Sequence, residues 1–290
     1  MVFMLPDGWY SDTIAELIDT KLPGLIGELT DETAWKYVYA CTLWTEEIKG
    51  IHYLHLNDRL STVAGKAAAV RGLEWIQENF LADRSDPREH LDQVGKAYET
   101  ARRHQSPTAS WQRNNVTGRT FEVVLQELVF RLCGVEPMRE PRLRTLQGFE
   151  LTPPGYHSQP DLALFGPNDF RLIISTKWSL RKERIGTYLH ESWFYKQRRS
   201  DLQTVFVVSD FNSNIVSWLV GDPLVDRVYH VSLPMLLAVH YPFEGRVQVP
   251  VADLIKPTAT RDRYERWLMM SRRVHDLSQL FKDIRALNTD

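Results

Sequence analysis

Three residues in the middle of the chain have side chains that together can hold a divalent cation and orient a water molecule. They are Asp161, Lys177 and Glu191, and the glutamate follows the lysine by fourteen positions. Carboxylate oxygens are ligands that Mg²⁺ prefers, and a lysine ammonium supplies a nearby positive charge. Cleavage of a phosphodiester bond needs such an ion, such a cation and a positioned water. The sequence therefore predicts that Asp161 and Glu191 hold Mg²⁺ and that Lys177 positions the water.

The residues around Asp161 and Lys177 predict two neighbouring β-strands. Apolar runs at 162–165 and 170–176 flank a Gly-Pro-Asn-Asp sequence, which favours a tight turn between strands. Asp161 opens the first strand and Lys177 closes the second, so a hairpin brings both side chains to the same edge of a sheet. Glu191 is then expected on the helix that follows.

This segment resembles the active site of the PD-(D/E)XK nuclease superfamily. In most of that superfamily an acidic residue stands two positions before the lysine, and Ser175 holds that place here. In the type II restriction endonucleases that recognise a CCGG core, the same place is commonly serine-like, and a glutamate fourteen positions after the lysine supplies the missing carboxylate. Glu191 satisfies that requirement. The resemblance implies metal ligation by Asp161 and Glu191, with Ser175 adding a hydrogen bond at the edge of the site.

A second element of the resemblance is the run Arg181-Lys182-Glu183-Arg184, which fits the Arg-x-(Asp/Glu)-Arg element of the same enzymes. An arginine donor fork matches guanine O6 and N7, and a carboxylate accepts from cytosine N4 in the major groove. The resemblance implies that Arg181 and Arg184 read guanines and that Glu183 reads cytosines. The alternative interpretation is a solvated helix start, on which the same charges form weak surface ion pairs.

A third element is Glu122, which follows a glycine and a phenylalanine in a Gly-x-x-Phe-Glu sequence. Phe121, Leu125, Leu128 and Val129 recur at helical spacing, so Glu122 is expected in the first turn of an amphipathic helix. In the CCGG enzymes a glutamate on an early helix of the catalytic core joins the metal site, which would make Glu122 a third ligand. The alternative is that Glu122 only favours the helix N-terminus through the helix dipole.

The resemblance implies an α/β fold, with a restriction-endonuclease-like mixed sheet flanked by helices and preceded by an N-terminal helical domain. We expect a helical accessory domain at 1–104, serving flanking DNA contacts or assembly, and a catalytic and CCGG-recognition domain at 105–290. The implied function is that of a type II restriction endonuclease that cuts double-stranded DNA before the first cytosine of CCGG, leaving four-base 5′ overhangs. A palindromic site implies a homodimer or a higher homo-oligomer.

Two other functions stay open. One is a related nuclease that reads an interrupted CC-N-GG or CC-W-GG site, in which the recognition triplet is contiguous and the lysine-to-glutamate spacing is one residue shorter. The interposed Lys182 and the fourteen-residue spacing favour uninterrupted CCGG. The other is a catalytically dead DNA-binding or assembly protein of the same fold, which Ser175 in the usual acidic place favours and Glu191 opposes.

Composition limits the class of protein without deciding it. The chain has 290 residues, of which 43% are hydrophobic, and a net charge of −2, so it can bury a substantial core but has no overall basic character. DNA binding must therefore come from local clusters of cations near the predicted hairpin. The clusters are Arg139, Arg142 and Arg144; Arg181, Lys182 and Arg184; and Lys196, Arg198 and Arg199.

Other classes are disfavoured by features that the sequence lacks. Cys41 and Cys133 stand apart with no CxxC pair, which argues against a disulfide framework or a structural zinc site. There is no Gly-rich phosphate loop, so no nucleotide cofactor is expected. The amino terminus has no basic start of a signal peptide, and no uncharged apolar run reaches membrane length. We expect a cytoplasmic protein without membrane contact, and the resemblance implies a prokaryotic restriction–modification system.

Hydrophobic periodicity predicts the other elements of the chain. The apolar stripe of a long final helix predicts packing against the domain or against a partner chain. Helices are predicted at 11–22, 31–49, 61–80, 90–103, 121–132, 182–199, 215–220, 234–240 and 260–287, and strands at 162–165, 170–176, 204–208 and 228–231.

Overall fold

A computed structural model describes the protein over residues 14–51, 110–153, 159–165, 171–210, 213–240, 265 and 268–289. The chain divides into two compact units, Met1–Leu132 and Cys133–Asp290. The predicted helices at 61–80 and 90–103, and the predicted domain boundary after residue 104, lie outside the described residues. The functional division of the chain therefore stays a prediction.

The described residues of the first unit are largely helical. They form a π-helical turn at Leu17–Lys21 and the helices α1 (Pro23–Ile26), α2 (Ala34–Ile51) and α3 (Ser110–Cys133). Arg131 of α3 donates two hydrogen bonds of 2.7 Å to the Asp19 carboxylate, which joins α3 to the π-helical turn. The pKa of Asp19 is lowered, chiefly by this bond to Arg131. Among the described helices of the whole chain, none is long and apolar enough to cross a membrane.

The second unit is built on a six-stranded mixed sheet. Its strands lie side by side in the order β1 (Met138–Arg139), β2 (Leu162–Phe165), β3 (Arg171–Lys177), β4 (Gln203–Val208), β5 (Arg227–His230) and β6 (Val274–Asp276). The pairs β1–β2 and β2–β3 are antiparallel, and the other three pairs are parallel. The four predicted strands are confirmed to within one residue at each end, and β1 and β6 are additional.

Helices cover both faces of this sheet. Helix α4 (Ile185–Arg198) follows a 3₁₀ turn at Lys182–Arg184; α5 is Ser213–Gly221, α6 is Leu233–His240, α7 is Leu277–Thr289, and a further 3₁₀ turn lies at Leu143–Thr145. Helices α4, α5 and α6 share a core with the strand residue Val228. Tyr229 points to the opposite face, because neighbouring side chains on a strand alternate, and there it donates to Asp283 of α7. The mixed sheet flanked by helices confirms the predicted α/β fold class.

The prediction of a single helix at 260–287 is wrong, because a strand interrupts it. Helical residues 268–273 are followed by β6 and then by α7, and β6 pairs with β5. The Asp276 carboxylate accepts the backbone N–H of Ser278 at 3.1 Å, which caps the start of α7, and that of Leu233 at 2.9 Å. The apolar stripe of α7 packs within the unit through Leu277, Leu280, Phe281 and Ile284, which are all buried.

The bond between Tyr229 and Asp283, 2.6 Å long, predicts a pH-dependent contribution to stability. Tyr229→Phe removes the hydroxyl donor, while Arg227 and Gln279 remain as partners of the carboxylate. We expect the free energy of unfolding to fall by about 1.5–3 kcal/mol near neutral pH, as for other hydrogen bonds to charged groups. Urea unfolding of both proteins measures this difference.

The sign of the pH dependence follows from the pKa of Asp283. Burial raises that pKa, but hydrogen bonds from Tyr229, Gln279 and Arg227 outweigh it, so the folded pKa lies below 3.8. The stabilisation is therefore present above the pKa of the unfolded chain and is lost as pH falls through the folded pKa. The difference between Tyr229→Phe and the unchanged protein should shrink in acid, and a pH-independent difference would contradict the assignment.

Candidate active site

Asp161, just before β2, and Lys177, at the end of β3, lie together where these two neighbouring strands begin and end. Leu162 pairs with Ile174 in the antiparallel ladder, so the residue before β2 lies beside the end of β3. Lys177 Nζ donates to Asp161 Oδ2 at 2.5 Å, and the same oxygen accepts the backbone N–H of Thr176 at 2.7 Å. This is the contact that the hairpin pattern predicts from sequence.

Lys177 is a mostly buried cation with several partners. Its side chain is 15% exposed, and that of Asp161 is 19% exposed. The ammonium also lies 5.1 Å from the centre of the Tyr188 ring, within range of a cation–π contact. Burial lowers the pKa of Lys177, but Asp161, Tyr188 and Glu191 together raise it above its ordinary value. Lys177 is therefore a persistent ammonium at neutral pH.

Glu191 lies on the side of α4 that faces the sheet. Tyr188 and Tyr195 are buried on that side, each within a core that includes strand residues. Glu191 follows Tyr188 by about one helical turn and is half-buried. Its charge raises the pKa of Lys177, so the carboxylate acts electrostatically on the ammonium. Asp161, Lys177 and Glu191 thus form one coupled set of charges, which we name the acid–lysine group.

Ser175 lies on the same face of the sheet as Lys177. Side chains two positions apart on a strand point the same way, and Ser175 is buried in β3 at the register of Phe206 in β4. A hydroxyl at this place adds no charge, so the second carboxylate of the group comes from α4 instead.

The donor set of the acid–lysine group fits a magnesium ion held by two carboxylates. Mg²⁺ is usually bound by one or two carboxylates, with water and phosphate oxygens in its other positions. Asp161 and Glu191 both act on Lys177 and so supply two carboxylates in one neighbourhood. Within the described ranges, no group of three or more His, Cys, Asp or Glu side chains is arranged to hold a metal ion. Oxygens of water and substrate would therefore complete the shell.

Glu122 has a different position from the one its sequence context predicts. Helix α3 begins at Ser110, so Glu122 lies about three turns inside the helix and not in its first turn. The helix-dipole interpretation is therefore wrong, because that effect is confined to the first turn. Glu122 is half-buried and belongs to the first unit. Its role as a third metal ligand stays a prediction.

The residues predicted to read DNA form a short surface segment, Arg181–Arg184, which we name the recognition turn. It begins directly after buried Leu180 and ends before buried Ile185. Glu183 and Arg184 are exposed, and Arg181 is half-buried. The expected helix start at residue 182 is a 3₁₀ turn, and α4 proper begins at Ile185. The turn is therefore fixed at both ends while its charged side chains reach solvent.

Two contacts that the sequence pattern does not predict hold this region. The backbone N–H of Leu180 donates to Asp210 Oδ2 at 2.7 Å, and Lys182 Nζ lies 5.5 Å from the centre of the Trp218 ring. Asp210 follows β4, and Trp218 is on α5. The feature that could have indicated these residues is the topology of the sheet. Parallel strands bring their carboxyl ends to the same end of a sheet, and α/β proteins usually bind ligands there.

The predicted cation cluster at 196–199 is largely engaged within the protein. Lys196 pairs with Asp226 at 2.6 Å, and Arg199 pairs with Asp201 at 2.6 Å. The pKa of Asp201 is lowered, chiefly by the hydrogen bond from Arg199. Arg198 donates to the backbone carbonyl of Leu151 at 3.3 Å. These residues therefore have structural partners within the protein. The predicted cluster at Arg139, Arg142 and Arg144 lies near the site as well, because the backbone N–H of Glu140 donates to the carbonyl of Asp161 at 3.0 Å, and Arg142 and Arg144 are exposed.

Comparison with known proteins finds likenesses among solved structures. No family model matches the chain, and no curated protein matches it. The chain is similar to restriction endonuclease PspGI in a complex with substrate DNA, at 15% identity and a TM-score of 0.49, over 96% of this chain and 93% of that one. It is also similar to metal-depleted Ecl18kI in complex with uncleaved DNA, at 13% identity and a TM-score of 0.38, over 98% and 86%. Likenesses this distant assign no residue roles.

The Asp161–Lys177 contact predicts non-additive effects on stability. Asp161→Ala leaves a mostly buried ammonium without its closest carboxylate, and we expect a loss of about 1–3 kcal/mol in the free energy of unfolding. Lys177→Met removes that charge, so the double variant should be more stable than Asp161→Ala alone. Urea unfolding of the four proteins measures the coupling. Additive losses would show that the two side chains do not interact.

Proposed function

We propose that the protein is a Mg²⁺-dependent type II restriction endonuclease that makes double-strand cuts at a palindromic DNA site containing CCGG. The observation that carries the proposal is the contact of Lys177 with Asp161 at a strand end, with Glu191 acting on the same ammonium. Mostly buried ion pairs contribute little net stability. An acid–lysine group at the ends of two neighbouring strands therefore favours a functional role.

Each member of the acid–lysine group has its own task in the proposed reaction. Asp161 and Glu191 hold Mg²⁺, which when bound neutralises charge on the scissile phosphate. Lys177 donates a hydrogen bond to the attacking water and stabilises the charge that develops during in-line displacement of the 3′ oxygen. Ser175 adds an uncharged hydrogen-bonding group at the edge of the site. Glu122 is proposed as a further ligand.

Sequence recognition is assigned to the recognition turn. Arg181 and Arg184 read guanines through their donor forks, and Glu183 accepts from cytosine N4. Arg181 stands four positions after Lys177. The end of β3 therefore places both the side chain that orients water and the side chains that read bases. Cleavage before the first cytosine of CCGG would leave four-base 5′ overhangs.

A palindromic site requires two copies of the catalytic group. One acid–lysine group cuts one strand, so cutting both strands symmetrically calls for a homodimer whose twofold axis coincides with that of the DNA. The 1–104 segment is proposed to contact flanking base pairs or to support this assembly.

Two alternative functions can be distinguished by a cleavage assay in which the fragment ends are sequenced. A nuclease for an interrupted CC-N-GG or CC-W-GG site would produce ends that share that sequence instead. A catalytically dead DNA-binding protein of the same fold would bind DNA without cutting it, and Ser175 at the usual acidic position favours that alternative.

Replacement of the acid–lysine group predicts loss of cutting with retention of binding. Glu191→Gln and Lys177→Ala each remove a charge that the reaction needs, so we expect the cleavage rate to fall at least about a hundredfold. Binding of a CCGG duplex in Ca²⁺, measured by fluorescence anisotropy, should change little. Cleavage is measured on plasmid DNA with Mg²⁺, followed by sequencing of the fragment ends.

Glu136→Gln is the matched control, because Glu136 is an exposed acid of the same unit. It should cut at the unchanged rate. Full activity in Glu191→Gln or Lys177→Ala would refute the site assignment. Fragment ends without a shared CCGG would remove the specificity while sparing the nuclease.

Replacement of Arg181 predicts a change in discrimination and not a uniform loss. Arg181→Ala removes a bidentate contact to one guanine, so preference for that G·C pair should weaken by about 1–3 kcal/mol. Competition between duplexes that differ at single base pairs measures the preference at each position. Equal weakening for every duplex would instead indicate a phosphate contact.

A further inference from the structure

The connection between the end of β3 and the recognition turn is tied to the neighbouring strand at two points. The backbone N–H of Ser209 donates to the carbonyl of Lys177 at 3.2 Å, and the N–H of Leu180 donates to Asp210 Oδ2 at 2.7 Å. Consecutive residues after β4 thus bind both ends of the short 177–180 connection. The acceptor of the second bond is the side chain of Asp210, so this bond depends on which residue stands at position 210.

The recognition turn itself has a further support on α5. Lys182 Nζ lies 5.5 Å from the centre of the Trp218 ring. Lys182 occupies the variable position of the Arg-x-Glu-Arg element, between the residues assigned to base contacts. A cation–π contact at this position restrains the middle of the turn without using Arg181, Glu183 or Arg184.

We propose that Asp210 and Trp218 are positioning residues that fix the recognition turn relative to Lys177 and thereby determine how strictly the protein discriminates between DNA sites. The inference rests on the proposed function, which assigns base contacts to the turn. Asp210 anchors the backbone immediately before Arg181, and Trp218 restrains the residue immediately after it. Neither side chain needs to contact DNA directly for this role.

Surface position separates this role from a purely structural one. Asp210 is half-buried, and Trp218 is 44% exposed, so neither contributes the large core burial whose loss would unfold the unit. Bidentate reading of a guanine depends on the angle of the arginine fork. A turn that moves would keep its charges, and hence its attraction to phosphate, but would lose the alignment that distinguishes one base pair from another.

The experiment uses the full chain and four variants, Asp210→Ala, Asp210→Asn, Trp218→Leu and Trp193→Leu. Trp193 is the matched control, because it is also 44% exposed but lies on α4 and stacks on His190. Binding in Ca²⁺ is measured for a CCGG duplex and for duplexes with one G·C pair replaced. Amide hydrogen exchange is followed in peptides covering residues 178–184.

Asp210→Ala and Trp218→Leu should each reduce the preference for CCGG by about tenfold, the size of one good base contact, with weaker effects on binding to unrelated DNA. Both should speed exchange in 178–184, Asp210→Asn should restore much of the preference because its amide oxygen can still accept, and Trp193→Leu should match the unchanged protein.

Unchanged discrimination or unchanged exchange in Asp210→Ala would overturn the inference while leaving the proposed nuclease intact. If the unchanged protein prefers no duplex, the proposed function itself fails, and the specificity role of Asp210 and Trp218 fails with it. An equal loss of preference in Trp193→Leu would also overturn the inference, because it would show a general effect of removing a surface tryptophan.

Discussion

The site depends on one electrostatic constraint, which is that the ammonium of Lys177 is held mostly out of water. An isolated buried cation is costly, so the fold must bring negative charge to it or let it lose its proton. Asp161 meets this need from the neighbouring strand at 2.5 Å, and Glu191 adds to it from α4. The carboxylates of Asp161 and Glu191, which together with Tyr188 favour the charged lysine, are also oxygen donors of the kind that divalent ions bind. The stability of the cation and the proposed chemistry therefore have the same physical origin.

The sheet makes this arrangement possible because of where its pairing changes. Strand β3 pairs antiparallel with β2 and parallel with β4, so its end lies between the start of one neighbour and the end of the other. The start of β2 supplies Asp161, and the exit of β4 supplies Asp210. The exit of β3 then leads directly into the recognition turn. Asp161, Lys177, Asp210 and the start of the recognition turn thus lie together at the ends of one strand and its two neighbours, and α4 adds Glu191.

The sequence predicts the central part of this arrangement well, because its signals are local. Short apolar runs beside turn residues predict β2 and β3, and both strands are confirmed. The role of Glu191 rests on its spacing from Lys177 and stays a prediction. The final helix is predicted wrongly because β6 has only three residues. So short a strand is not visible as a break in the helical pattern of apolar residues that surrounds it. Asp210 has no local signal, since it is thirty residues from its partner Leu180. The position of Glu122 within its helix is predicted wrongly, because α3 begins at Ser110, well before the residue that looks like its cap.

The most direct test of the central claim is a crystal structure of the protein with a CCGG duplex and Ca²⁺, which supports binding without cutting. We expect a cation bound by the carboxylates of both Asp161 and Glu191 beside the scissile phosphate, with Lys177 Nζ within hydrogen-bonding distance of a water in line with the 3′ oxygen. A cation bound elsewhere, or a Glu191 carboxylate turned away from Asp161 and Lys177, would contradict it.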